Sequence, residues 1–90
     1  MRFWAKTIKD GQKQSEVIVA LPVKKVTELD EALISDALSR LAHELDLERP
    51  VLVGKHKRDL FTFSRAVFFP QDFIESVDFD RMTVEIIPDE

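Results

Sequence analysis

The chain has 90 residues and no cysteine, 44% of its residues are hydrophobic and 33% charged, and its formal net charge is −4. A chain of this length supports one core, and its apolar fraction is that of a folded domain rather than a disordered segment. The absence of cysteine excludes disulfides, thiolate metal sites and a cysteine nucleophile, and the acidic balance argues against a generic nucleic-acid-binding domain.

Two apolar-containing runs flank Asp10-Gly11, a pair suited to the positive φ angles of a type I′ turn, so the chain is expected to open with a β-hairpin over residues 3–21. Trp4 and Ile8 share one face of the first strand with Lys6, while Val17, Val19 and Leu21 share a face of the second. The pleat can turn these two sets to a common side, with the Lys6 stem snorkelling to the edge. Thr27-Glu28-Leu29-Asp30 reads as a capping-box variant, and Leu29, Leu33, Ala37, Leu41 and Leu45, widened by Ile34 and Leu38, form a core-facing stripe. A helix is therefore expected over 28–46. Glu44, Asp46 and Glu48 oppose the negative end of its dipole.

Beyond Pro50, residues 51–53 read as a short buried strand closed by Gly54, and Lys55-His56-Lys57-Arg58 as a solvated basic turn. Aromatic and β-branched content over 60–69 suggests one strand or two, ended by Pro70; a single helical turn follows from Pro70, and 82–87 forms a last strand. The expected fold is a single α+β domain of order β-β-α-β-β-β, one long helix on a mainly antiparallel sheet.

Charge is unevenly placed. Residues 1–27 carry six cations and two acids, 28–50 two and seven, 51–69 four and one, 70–90 one and seven. These blocks of +4, −5, +3 and −6 can satisfy one another within one molecule or across an interface, and that reading, with the choice between the two left open, is favoured over two separate ligand patches.

Few constellations carry chemistry. The basic and aromatic run Lys57 to Arg65 has the composition of a base-stacking strand, but it lacks that motif's glycines and the β-α-β-β-α-β order, so core packing is the favoured role of the seven phenylalanines. His43 with Asp46 could supply two metal ligands of the three or more required, but no second histidine lies nearby and an ordinary surface histidine is the favoured reading. Glu75, Asp78 and Asp80 cluster as hard-cation ligands or paired acids would, or as an ordinary solvated turn, with the turn favoured. There is no Gly-x-Ser-x-Gly elbow and no glycine-rich phosphate loop.

Met1-Arg2-x-Trp4-Ala5, Asp46-Leu47-x-x-Pro50 and Phe73-Ile74-Glu75-x-x-Asp78-Phe79-Asp80 together resemble a family of small uncharacterised bacterial, clostridia-like proteins. The resemblance implies no activity, substrate or cofactor. Between Lys55 and Phe69 this chain is less basic and more apolar than that family's pattern.

The expected function is a non-enzymatic protein-interaction or regulatory module, a homodimer or a binder of another protein, acting through a sheet edge or charged faces. The terminal strand 82–87 is the edge apolar enough to pair. The alternative is nucleic-acid binding through Lys55, His56, Lys57, Arg58 and Arg65, joined by Lys24 and Lys25; acidic contacts would fall on Glu75, Asp78 and Asp80. An enzyme using those acids or His56 ranks third. No cofactor or metal is expected, nor a membrane anchor, since no apolar run approaches the roughly 20 residues of a spanning helix. The lack of a secretory h-region points to the cytoplasm.

Overall fold

In the computed structural model, which describes residues 1–87, the chain forms a four-stranded antiparallel sheet with two helices. Strands β1 (Arg2–Lys9) and β2 (Gln12–Ala20) make the opening hairpin, α1 spans Glu31–Glu44, α2 Gly54–Phe63, β3 Arg65–Phe68 and β4 Arg81–Ile87. The sheet order is β2-β1-β4-β3, so β2 and β3 are the edges.

The hairpin forms as its turn chemistry dictates: Asp10 at φ 53° and Gly11 at φ 77° adopt the left-handed pair that a two-residue turn needs. The second strand turns Val17, Val19 and Leu21 to the core as expected, but the facing of the first is the reverse of the expected one. Val19 lies opposite Phe3 and Val17 opposite Ala5, so Phe3, Ala5 and Thr7 join the core while Trp4, Lys6 and Ile8 look outward. Both faces of β1 carry apolar side chains, so alternation cannot choose between them. Outward placement spares the burial of an ammonium and lets the Trp4 indole N–H donate to Glu16 at 2.9 Å.

Helix α1 begins three residues later than the expected 28. Thr27 lies in a 3-10 turn, Val26–Glu28, and the cap is Asp30, whose carboxylate accepts from the Leu33 N–H at 2.8 Å. The buried stripe is Ile34, Ala37, Leu38, Leu41 and Ala42, while the expected Leu33 and Leu45 are only partly buried beside it. The helix ends in a Schellman motif: Leu47 N–H donates to the Ala42 carbonyl, Asp46 N–H to that of His43, and Asp46 takes φ 58°. The acid that opposed the dipole is thus the left-handed residue glycine usually supplies. Asp46→Gly removes both the conformational strain and the charge, and should raise the unfolding free energy by about 1 kcal/mol in urea denaturation.

The segment from 51 to 69 departs most from expectation. Residues 51–53 form no strand; Val51 and Val53 are exposed, and the Val51 N–H donates to the Asp72 carbonyl. The basic turn and the start of the expected 60–69 strand are instead α2, and only Arg65–Phe68 is strand. The aromatic and β-branched propensity of this stretch yields to two side chains at helical spacing, His56 and Leu60, which α2 buries together. Ser64, at φ 57°, ends the helix and turns the chain directly into β3.

Both helices pack on one side of the sheet. Ile34, Ala37, Leu38 and Leu41 of α1 and Leu60 of α2 share a single core with Phe3, Ala5, Phe68, Val84 and Ile86. Strand β4 pairs on both sides, with β1 and β3, so the expected edge at 82–87 is the centre of the sheet. Among the described residues, no helix is long and apolar enough to cross a membrane.

Candidate functional site

The free edge of β2 follows from its hydrogen bonding. Leu21 N–H donates to the Met1 carbonyl, directing that residue's backbone toward β1. By alternation Val19 and Val17 also face β1, and Ala20, Ile18 and Glu16 point their backbone groups away from the sheet. The Ala20 carbonyl accordingly accepts from Arg40 Nη1 at 2.9 Å. Ile18, 51% exposed, sits at the middle of this edge. Beside it, between β2 and α1, runs an open groove of about 500 Å³ lined by Val17, Val19, Ser39, Arg40, His43 and Glu44 among others. The N-terminal half of β2, Gln12 to Glu16, is polar and exposed; the apolar half, Val17 to Ala20, borders the groove.

The second uncovered surface is the sheet face opposite the helices. The register places Ile18, Trp4, Glu85 and Arg65 in one row across the four strands, and Glu16, Lys6, Thr83 and Val67 in the next. Arg2 flanks the first row, and Ile8, Arg81 and Lys13 flank the second. Lys6 lies 4.1 Å from the Trp4 ring centroid and 3.6 Å from Glu85. Hydrogen bonds from Lys13 and from the Trp4 indole hold the Glu16 carboxyl below the usual carboxylate range.

The sequence-derived basic set is split. His56 is buried: its ring stacks on Phe68 with centroids 4.2 Å apart, Nδ1 accepts from the Val53 N–H, and Nε2 lies 3.5 Å from Asp72. It locks α2 to the turn after β3 and is no contact residue. Lys57 is half-buried and pairs with Glu31 at 3.3 Å, while Lys55 and Arg58 occupy the exposed side of α2. Arg65 lies on the open sheet face, away from them. Lys24 and Lys25 lie on the connection into α1.

The acidic trio is dispersed to three tasks. Glu75 accepts from the Glu48 N–H at 2.7 Å, Asp78 pairs with Lys9 at 2.6 Å, and Asp80 accepts from the Asp10 N–H at 2.9 Å. Asp78 and Asp80 thereby clamp the tip of the β1–β2 hairpin, aided by Gln14 donating to the Asp78 carbonyl. The Lys9 ammonium is raised above the ordinary lysine range, first by its hydrogen bond to Asp78. Among the described residues no three His, Cys, Asp or Glu side chains converge as metal ligands would. His43 is exposed on α1 and borders the β2 groove.

The charge blocks meet inside one molecule at Lys6–Glu85, Lys9–Asp78 and Lys57–Glu31. The phenylalanines divide: Phe3, Phe68, Phe73 and Phe79 are buried, but Phe61, Phe63 and Phe69 are exposed, contrary to the expectation that all fill the core. Sequence reasoning missed both uncovered surfaces, since the only signal for them was the polar-to-apolar change along β2. No protein-family model, curated protein or solved structure matches this chain.

Proposed function

We propose that this protein is a non-enzymatic interaction module that acts as a homodimer, the β2 strands of two copies pairing antiparallel across a two-fold axis at Ile18. The observation that carries this reading is the open edge from Glu16 to Ala20, with its exposed central isoleucine, beside the groove under α1. Centred on Ile18, each isoleucine meets its symmetry mate and Glu16 faces Ala20, so no like charges oppose one another. The axis runs perpendicular to the sheet, which brings the two α1 helices to the same side. Arg40 of one copy can then approach Glu44 of the other, and reciprocally, as an isologous contact requires. The Ala20 carbonyl has a second lone pair for the new strand while Arg40 keeps the first. Docking through broad charged faces is less well supported, because three of the ion pairs already join oppositely charged blocks within the monomer.

Sedimentation equilibrium is the test. The wild-type chain should be a dimer at micromolar concentration. Ile18→Pro removes an N–H that points away from β1, so it should leave the monomer folded by circular dichroism and abolish dimerisation. Arg40→Glu should raise the dissociation constant about tenfold, and adding Glu44→Arg should restore much of the loss. A wild-type chain that stays monomeric up to about 100 μM, well above the dissociation constants of specific interfaces, would sink the proposal.

A further inference from the structure

The fold gathers positive charge on one surface of an acidic chain. Among the described residues, Arg2, Lys6, Lys13, Arg65 and Arg81 project from the uncovered sheet face against Glu16 and Glu85, a local +3, although the whole chain carries −4. These residues come from all four strands, so no stretch of sequence shows the patch. Between the cations lie Trp4, Ile8, Ile18 and Val67, all at least partly accessible. Trp4 is the chain's one tryptophan and sits in the second strand from the β2 edge, with Arg2 and Lys6 two residues to either side on the same face.

We infer that this sheet face is a binding surface for single-stranded nucleic acid: phosphates run along the cations, and a base packs on the indole of Trp4. The partner must be a polyanion, because the face opposes the sign of the rest of the molecule and attracts what the remainder repels. It must also present flat apolar surface. A bare polyanion would leave Trp4 and Ile18 facing water, whereas an unpaired strand supplies phosphates and exposed base faces at a spacing that suits a pleated sheet. A duplex hides its bases and offers only the phosphates. The Lys6 ammonium, seated on the indole ring and paired with Glu85, is the group a phosphate or base displaces, which makes Trp4 fluorescence a direct reporter of occupancy. The inference does not rest on the dimer. If β2 strands pair, the same face continues across both copies.

The experiment is a titration of the full chain with a deoxythymidylate oligomer of about 15 nucleotides, within the site sizes of single-strand-binding surfaces, at low salt. Binding should quench Trp4 emission and raise the anisotropy of a labelled oligomer together. Three to five phosphate contacts predict an affinity that falls about four- to tenfold for each doubling of salt. Arg2→Glu with Arg65→Glu, both at exposed positions, should weaken binding at least tenfold, while Lys55→Glu with Arg58→Glu on α2 should change it by less than about twofold. The Arg40→Glu variant, held at a concentration below its raised dimer dissociation constant, should still bind, which separates failure here from failure of the dimer. Three outcomes overturn the inference: no quench and no anisotropy change at low salt, equal sensitivity to the α2 and sheet-face charge reversals, or heparin binding as tightly as the oligomer with no change in Trp4 emission.

Discussion

Phe68→Ala should lower the unfolding free energy by about 3–5 kcal/mol, as truncation of a fully buried aromatic does. For a domain of this size that is a large share of the total stability, and each kcal/mol corresponds to about 4–8 °C in Tm, so a fall of about 12 °C or more is expected in a thermal melt. The size follows from what Phe68 holds. It lies on the inner face of β3 and stacks against His56, so its loss opens a cavity where α2 docks on the sheet. His56→Phe keeps the ring but leaves the Val53 N–H without its acceptor and breaks the approach to Asp72, and should cost less, about 1–2 kcal/mol. Phe63→Ala, at a side chain 71% exposed, should fall within about 0.5 kcal/mol of wild type. A large loss at Phe63 would contradict its place on the exposed side of α2.

Val84→Pro should cost about 3–5 kcal/mol or more and leave the chain largely unfolded in urea titration. Val84 lies between Ala5 and Ala66, fully buried. The Ile86 N–H donates to the Ser64 carbonyl, so two residues earlier the Val84 N–H also faces β3, and proline removes that donor along with the valine side chain. The contrast with Ile18→Pro is the informative part. Both put proline in a strand, but Ile18 directs its N–H to the open edge and should change the monomer's stability by about 1 kcal/mol or less. A benign Val84→Pro would place β4 at an edge and contradict the strand order.

Much of this fold is legible in local chemistry. The Asp10-Gly11 turn, the Ile34 to Leu41 stripe, the break at Pro70 and the strand over the last described residues are each signalled by residue types within a few positions, which a sequence displays directly. The site was far less legible. The residues singled out in sequence as one basic group are scattered: His56 in the core, Lys55 and Arg58 on the exposed side of α2, Lys57 paired with Glu31, and Arg65 on the opposite face of the sheet. Which side of the fold each neighbour in sequence meets depends on its secondary structure, and between 54 and 63 the sequence pointed to a basic turn and then a strand from 60, while burial of His56 and Leu60 required a helix.

The sequence by itself determined a cysteine-free α+β domain with a net charge of −4, an opening hairpin and an amphipathic helix, because length, composition, turn residues and 3.6-residue periodicity are local quantities. It also showed charge segregated along the chain. Only the tertiary structure decided how that charge is shared: blocks meet in ion pairs at Lys6, Lys9 and Lys57, and among the described residues the bare sheet face, Lys6–Glu85 included, keeps a net +3 from four strands. Strand order decided which backbone is exposed, putting β2 rather than the apolar β4 at the edge. Both outcomes depend on long-range pairing, in which each strand takes the neighbour that best buries its inner face, and no window of sequence contains that choice.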